Sequence, residues 1–169
     1  MPDITIALAG NPNAGKTTIF NALTGLRQHT GNWPGKTVEK KEGEIEHGDI
    51  TINIVDLPGT YSLTAYSPEE IIARDYIIEE RPDVVINVVD ATNLERNLYL
   101  TVQILELDVP VVLALNMTDD LHKDGSKIDA SQLSQLLGNI PVISTTANQG
   151  KGISELISKA VRMARQRTN

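Results

Sequence analysis

Apolar and polar residues alternate along the chain in blocks of two kinds. Some blocks are short and apolar; residues 84–89 and 111–115 are almost entirely so, which is typical of strands buried on both faces of a parallel sheet. Others space their apolar residues three and four apart, as amphipathic helices do. The pattern predicts strands at residues 3–9, 38–47, 50–56, 84–89, 111–115 and 141–144. It predicts helices near residues 15–26, 68–80, 93–106, 129–137 and 152–167.

The order of these blocks predicts one α/β domain over residues 1–169, with a six-stranded, mostly parallel sheet and helices on both of its faces. Residues 39–47 alternate charged residues and glycine before a short turn. Two strands joined in this way are typical of an antiparallel hairpin, so we expect one antiparallel strand at the sheet edge. Residues 27–37 and 119–129 show no periodicity and are predicted to be loops, the first of them functional or mobile.

Residue composition and net charge exclude several kinds of protein and of chemical site. The 169 residues are 40% hydrophobic and 22% charged, which is ordinary for a soluble globular domain. A net charge of −7 argues against a general nucleic-acid binder, because such a protein needs a basic surface. The chain has no cysteine, so disulfides, thiolate metal sites and cysteine nucleophiles are excluded. The N-terminus is acidic and the apolar runs are short, so we expect a soluble, cytoplasmic chain without a signal peptide or membrane span.

The strongest chemical signal lies between the first predicted strand and the first predicted helix. Residues 10–17 fit G-x-x-x-x-G-K-[ST], and the strand–loop–helix context turns this match into a phosphate-binding loop. Its glycines let backbone N–H groups converge on an anion, and the dipole of the following helix adds to that field. Lys16 is expected to reach the outer phosphates, and the Thr17 hydroxyl to bind Mg²⁺. The residues expected to bind nucleotide here are Gly10, Asn11, Pro12, Asn13, Ala14, Gly15, Lys16, Thr17 and Thr18.

Three further residues are expected to act on the phosphates and the metal. Asp56 ends a predicted strand, and a carboxylate there, facing the phosphate loop, is suited to holding Mg²⁺ through water. Gly59 closes the same D-x-x-G sequence, and its backbone N–H is expected to contact a terminal phosphate oxygen. Thr37 lies on the predicted loop, where its hydroxyl either completes the Mg²⁺ shell when a γ-phosphate is present or is that of a plain loop threonine.

Two polar segments that follow buried strands are expected to recognise the base. Asp119 offers its carboxylate to the N1–H and the exocyclic amine of guanine, a donor pair that adenine lacks. Asn116 is expected to tie this segment to the phosphate loop by hydrogen bonds, and the apolar stem of Met117 to lie along the base. After the last predicted strand, a backbone N–H is expected to meet the base carbonyl oxygen. That segment is Ser144–Ala147, and its residues expected to bind nucleotide are Ser144, Thr145 and Thr146.

Taken in order, these segments resemble the five-motif signature of Ras-like GTPases, and the resemblance covers essentially the whole chain. More narrowly, the chain resembles the cytosolic G domain of FeoB-type ferrous iron transporters. The G-N-W-P-G block at residues 31–35 is the most telling part. The segments that carry the narrower resemblance are residues 10–17, 31–39, 56–63 and 67–70.

The resemblance implies a Ras-like fold that binds GTP and hydrolyses it slowly to GDP and phosphate. It also implies that the chain is the regulatory G domain of a ferrous iron transporter, at the cytoplasmic face of the cell membrane. A helical spacer and a transmembrane part of the same full-length protein are then its partners, and a homo-oligomer is left open. Other interpretations are a free cytosolic GTPase acting in assembly, a nucleotide-dependent interaction module with negligible turnover, and an ATP-using kinase.

Catalysis is also implied by the resemblance. A Ras-type glutamine that orients the attacking water is absent, because Thr60 follows the D-x-x-G glycine. Some GTPases of this type instead use K⁺, held by an asparagine of the phosphate loop; Asn13 matches that asparagine, and the alternative is a plain turn residue. The residues expected in catalysis are Lys16, Asn13, Thr37 and Gly59. The expected metal ligands are Thr17, Thr37 and Asp56 for Mg²⁺ and Asn13 for K⁺.

Three positions depart from the family pattern or have two interpretations. Met117 stands where most GTPases have lysine, and the lost ammonium predicts modest nucleotide affinity and fast release. Lys36 stands where valine is common before the switch threonine; it either approaches the phosphates, which leaves the K⁺ requirement open, or faces solvent. Trp33, the only tryptophan, either shields the cation loop or anchors the loop that carries it.

Overall fold

A seven-stranded sheet forms the centre of the structure, a computed structural model that describes residues 2–123 and 125–168. Residue 124, inside the predicted loop 119–129, lies outside the described residues. The strands are β1 (Ile4–Gly10), β2 (Gln28–Asn32), β3 (Glu39–His47), β4 (Ile50–Asp56), β5 (Val84–Asp90), β6 (Val111–Asn116) and β7 (Val142–Ser144). Their order across the sheet is β2-β3-β4-β1-β5-β6-β7.

The predicted mostly parallel α/β sheet is confirmed, but its strand number was wrong by one. Strands β4, β1, β5, β6 and β7 pair in parallel, and β3 pairs antiparallel to β4 as the hairpin pattern predicted. The extra strand, β2, pairs antiparallel to β3 in the register Gln28 to Gly43 and lies at the sheet edge. Its sequence, QHTGN, has no apolar residue, so it carries no period-two signal and was predicted as loop.

In the described part of the chain, six α-helices surround the sheet. They are α1 (Lys16–Thr24), α2 (Pro68–Asp75), α3 (Leu94–Glu106), α4 (Thr118–Lys123), α5 (Ala130–Leu136) and α6 (Ile153–Thr168). A π-helical turn, Tyr76–Glu80, prolongs α2 to the predicted end of that helix. The helix α4 lies in a segment predicted as loop, because a six-residue helix with one buried residue, Leu121, is too short to show helical spacing. Within the described residues, none of the helices combines the length and the apolar character needed to cross a bilayer.

Alternating residues of the central strands point to two apolar layers. Ile6 and Leu8 of β1 pack with Phe20 of α1 and Leu156 of α6 on one face. Ala7 of β1 packs on the other face, together with residues of α2 and α3. The buried strands therefore form a rigid frame that is covered on both sides.

The frame places the polar segments at one edge of the sheet. Because β1, β4, β5, β6 and β7 run in the same direction, their carboxyl ends meet there. Segment 10–17 begins at the last residue of β1, Asp56 ends β4, Asn116 ends β6 and Ser144 ends β7. Four separate stretches of sequence thus converge on one place, which is where ligands of open α/β sheets bind.

Candidate functional site

The main chain between β1 and α1 forms a tight turn. Asn13 and Gly15 both have left-handed backbone conformations, with φ of 71° and 98°. The N–H of Ala14 donates to the carbonyl of Asn11 at 3.2 Å, which closes the turn before α1 begins. A Cβ atom at Gly15 would lie 2.0 Å from Nδ2 of Asn116, so this position requires glycine for its conformation and for its space.

A cavity of about 510 Å³ opens in front of this loop. Gly59 and Met117 reach it from the segments after β4 and β6. The N–H of Thr60 donates to the carbonyl of Gly10 at 3.1 Å, so the D-x-x-G segment is fastened to the start of the loop. The cavity is lined by Asn11, Pro12, Asn13, Gly15, Lys16, Thr17, Thr18, Gly59 and Met117.

Lys16, which lines the cavity, forms a buried ion pair with Asp56. Only 8% of each residue is exposed, and the Lys16 ammonium donates to Oδ1 of Asp56. Burial raises the pKa of the Asp56 carboxyl above its ordinary value, and the positive charge of Lys16 partly offsets that rise. The pair brings a cation from the first turn of α1 into direct contact with a carboxylate at the end of β4.

Oxygen donors near this pair are of the kind that Mg²⁺ prefers. Thr17 offers a hydroxyl at the first turn of α1, and Asp56 offers a carboxylate at the end of β4. Thr37 is exposed on the connection between β2 and β3 and is not among the cavity-lining residues. The described residues contain no cluster of three or more histidine, aspartate or glutamate side chains that would form a separate metal site. Two of the three expected Mg²⁺ donors thus lie close to the phosphate loop, and the third lies on a separate loop.

The side chain of Asn116, at the end of β6, joins two loops to that strand. Its Nδ2 donates to the carbonyl of Ala14 at 3.0 Å, which fixes the phosphate loop. Its Oδ1 accepts from the Thr145 hydroxyl at 2.9 Å and from the N–H of Ala147 at 3.1 Å, which fixes the segment after β7. Asn116 is only 3% exposed, so all three bonds are shielded from water.

The segment after β6 turns sharply before α4. Met117 has a left-handed φ of 65°, and its side chain reaches to within 3.8 Å of the Cβ position of Gly15. The Thr118 hydroxyl donates to the carbonyl of Thr145 at 3.3 Å. Asp119 follows at the start of α4, half-exposed, and its Oδ2 accepts a hydrogen bond from Gln149 at 3.2 Å. Sequence reasoning missed the contribution of Gln149, because the contact joins residues 30 positions apart and no motif marks it.

Trp33 is a loop anchor. It is 6% exposed and packs with the apolar layer beneath α2, and its ring meets that of Tyr76 edge-on at 5.7 Å between centroids. Lys40 lies over the indole, with its ammonium 4.8 Å from the ring centroid. Lys36 is exposed nearby and stays outside the cavity in front of the phosphate loop.

The segment that follows Gly59 is organised by Glu70. This carboxylate accepts from the Thr64 hydroxyl at 2.7 Å, from the Ser62 hydroxyl at 2.9 Å and from the Thr64 N–H at 3.1 Å. Hydrogen bonds from Thr64, and then from Ser62 and Ser67, lower the pKa of Glu70 below its ordinary value. Ser67 in turn caps α2: its hydroxyl oxygen accepts from the Glu70 N–H at 3.2 Å, and the same hydroxyl lies 3.2 Å from the Glu70 carboxylate.

A second cavity lies elsewhere and is larger, about 670 Å³. It lies beside Trp33 and Tyr76, and its rim mixes basic side chains such as Arg81 with acidic ones such as Glu80. It holds none of the phosphate loop, Gly59 or Met117. Size alone therefore does not locate the functional site, and we assign the site to the cavity where backbone donors and a buried lysine converge.

The phosphate loop after β1, the D-x-x-G segment after β4 and the N-x-x-D segment after β6 define a P-loop G domain. The family model of ferrous iron transport protein B matches residues 4–160. The chain belongs to this family, as the sequence motifs predicted.

Solved relatives support the same assignment of fold. A GDP-bound point mutant of NFeoB from S. thermophilus is 51% identical, with a TM-score of 0.90 over 95% of this chain and 62% of that one. The FeoB G domain of Methanococcus jannaschii is 50% identical, with a TM-score of 0.86 over 98% of this chain and 99% of that one. The predicted Ras-like G-domain fold is thereby confirmed.

Curated relatives are much longer than this chain. The Fe(2+) transporter FeoB of Salmonella typhimurium is 53% identical over 92% of this chain and 21% of its own length. An Fe(2+) transport protein A/Fe(2+) transporter FeoB fusion protein of Porphyromonas gingivalis is 55% identical over 94% of this chain and 19% of its own length. The chain thus spans about a fifth of these relatives.

Replacing Asn116 by alanine is expected to loosen the site and destabilise the fold. The change leaves the buried Thr145 hydroxyl and Ala147 N–H without their acceptor. We expect a loss of about 2–4 kcal/mol in the free energy of unfolding, measured by urea denaturation, since each buried polar group left unpaired costs about 1–3 kcal/mol. Asn93→Ala is the control, because the Asn93 side chain donates a single exposed 3.4 Å bond. Equal stability of the two variants would contradict the role of Asn116.

The Glu70 network predicts a pH-dependent ordering of the segment it holds. Because the folded pKa of Glu70 is lowered, its contribution is complete above the ordinary carboxyl pKa and is lost as pH falls through the lowered value. The Thr64 amide should therefore be protected from hydrogen exchange at neutral pH and lose protection in acid. Glu70→Gln should remove the pH dependence of the protection factor of the Thr64 amide, which is the exchange rate corrected for its intrinsic pH dependence. A Thr64 exchange profile that is the same in both proteins would argue against this assignment.

Proposed function

We propose that this chain is a guanine-nucleotide-binding G domain that hydrolyses GTP to GDP and phosphate. The observation that carries the proposal is the convergence of the curled loop, the buried Lys16 and Gly59 on one cavity, with Asn116 joining that cavity to the base-recognition segments. The GDP bound to the solved relative at 51% identity supports the same ligand.

Phosphate binding rests on charge and on converging donors. The backbone N–H groups of the loop and the N-terminus of α1 attract an anion, and Lys16 adds a full positive charge. When Lys16 turns to the phosphates, Asp56 loses its partner and becomes free to hold Mg²⁺ with Thr17 and Thr37. Bound Mg²⁺ neutralises the charge that develops on the phosphate oxygens.

Base selection rests on Asp119. Its carboxylate accepts from N1–H and from the exocyclic amine of guanine, whereas adenine leaves these oxygens without donors. Met117 lies against the phosphate loop and offers an apolar surface to the base instead of an ammonium. We expect a backbone N–H of the segment Ser144, Thr145 and Thr146 to meet the base carbonyl oxygen. The N–H groups of Thr145 and Thr146 already donate to the carbonyls of Leu115 and Lys151, so either one would have to share its bond with the base.

Water activation proceeds without a glutamine. Thr60 is 5% exposed and its N–H is engaged with Gly10, so neither its side chain nor its amide is available to orient a water molecule. The remaining candidates are the Gly59 N–H and Thr37, on the two segments that flank the γ-phosphate. Asn13 is exposed at the mouth of the cavity, where its side-chain oxygen would hold K⁺. Bound K⁺ supplies positive charge without a side chain from a partner protein.

In the full-length protein, we place this domain at the cytoplasmic face of the membrane. The relatives are named as Fe(2+) transporters and are about five times as long as the stretch they share with this chain, at 19% and 21% coverage. A helical spacer and a transmembrane part would then follow, and the G domain would regulate iron passage through them. Self-association of the G domain would also be consistent with such a role.

A titration with a fluorescent guanine nucleotide tests the proposal most directly. We expect saturable binding of GDP and GTP that strengthens with Mg²⁺, no comparable binding of ADP or ATP, and slow phosphate release from GTP. Lys16→Ala should lower the affinity for GTP because it removes the positive charge from the cavity. Equal binding of the adenine nucleotides would overturn the base assignment, and binding without phosphate release would leave a passive switch.

Asn13 predicts a dependence of turnover on the monovalent cation. We expect phosphate release to be faster in K⁺ than in Na⁺, and Asn13→Ala to lose this stimulation by about tenfold or more, since one preorganised electrostatic group contributes that much or more. Asn139→Ala is a matched control, because Asn139 also has a left-handed φ, 67° against 71°. If Asn13→Ala keeps its response to K⁺, Asn13 is only a turn residue.

A further inference from the structure

The Asp119 carboxylate, which we propose to select guanine, already has a partner within the fold. Nε2 of Gln149 donates to its Oδ2 at 3.2 Å. The two residues come from different loops, Asp119 from the first turn of α4 and Gln149 from the 3₁₀ turn after β7. None of the sequence motifs includes Gln149.

The backbone that carries Gln149 is firmly held. The N–H of Ala147 is bound by Asn116, and Thr146 exchanges two backbone hydrogen bonds with Lys151, at 3.0 and 3.1 Å. The N–H of Gln149 itself donates to the carbonyl of Thr146 at 3.0 Å. Gln149 is therefore fixed to the same frame as the phosphate loop, although its side chain is exposed.

Asp119 lacks comparable support from its own helix. The helix α4 has only six residues, and Asp119 is half-exposed. Its neighbour Asp120 is paired with Lys123 at 3.1 Å. The terminal torsion of an aspartate is broad, so an unsupported carboxylate would sample orientations that do not match the base.

Hydrogen-bond capacity permits Gln149 and guanine to bind Asp119 together. A carboxylate has about four lone-pair positions, and guanine uses two of them, one on each oxygen. Gln149 uses one position on Oδ2, so the carboxylate has enough positions to accept from the base as well. Because the donor is a neutral amide, it orients the carboxylate and leaves its negative charge in place. A lysine or arginine in the same position would cancel that charge.

We propose that Gln149 is a positioning residue for base selection: it holds the Asp119 carboxylate in the orientation that guanine requires. The inference rests on the proposed function, since it concerns the same nucleotide site. It assigns part of the guanine preference to a side chain outside the N-x-x-D segment. The preference is then set by two loops that Asn116 ties together.

The test compares GDP with inosine diphosphate, which lacks the exocyclic amine. Affinities are measured by calorimetry for the unchanged chain, Gln149→Ala and Gln149→Met; the methionine keeps the length of the side chain but removes the donor. We expect both variants to bind GDP about three- to tenfold more weakly, the size of one hydrogen bond. We expect the affinity for inosine diphosphate to fall less than the affinity for GDP, so that the preference for GDP over inosine diphosphate falls by about threefold. Gln135→Ala, at an exposed glutamine on α5, is the control and should leave both affinities unchanged.

Three results would overturn the inference. Unchanged GDP affinity would show that Gln149 has no role in binding. Tighter GDP binding would show that the amide stands where the base must enter. Equal losses for GDP and inosine diphosphate would show a structural effect on the loop without base selection. Failure of the unchanged chain to bind GDP would instead overturn the proposed function, so the two outcomes are separable.

Discussion

The buried side-chain amide of Asn116 is the interaction on which the rest of the site depends. A single planar group donates to the phosphate loop through Ala14 and accepts from Thr145 and Ala147 in the last loop. The lack of a side chain at Gly15 is what lets this amide approach. Asn116 itself ends a strand that is buried in the sheet. The phosphate loop and the segment after β7 are therefore both held by hydrogen bonds to the rigid core.

Lys16 and Asp56 hold the charge at the site as a buried ion pair, which the proposed nucleotide and Mg²⁺ would have to separate. Lys16 and Asp56 neutralise each other in a nearly dry place, and burial alone would otherwise oppose the charge on Asp56. An anion that recruits Lys16 leaves a carboxylate in need of a cation, and a cation on Asp56 leaves a lysine in need of an anion. Phosphate and metal are thus expected to favour each other's binding through two protein side chains.

Sequence reasoning worked where a signal was local and periodic, and it missed features without one. The apolar runs of β5 and β6 and the helical spacing of α3 and α6 were predictable because burial imposes a repeat on the chain. The polar strand β2 is held by backbone pairing with β3, which leaves no mark on side-chain type. Motif spacing indicated the phosphate loop, whereas the contact of Gln149 with Asp119 arises only when two loops meet in space.

The strand β2 lies at the edge of the sheet and is held on one side only, by its backbone pairing with β3. Its residues are mostly exposed, and the ladder from Gln28 to Asn32 leads to Trp33, whose N–H donates to the carbonyl of Val38 at 2.9 Å. Separation of β2 from β3 would break backbone hydrogen bonds but would expose little apolar surface, unless the Trp33 indole also left its buried position. Because Trp33 is buried at the end of this strand, we expect it to limit how far a rearrangement of the loop around Thr37 would spread into the sheet.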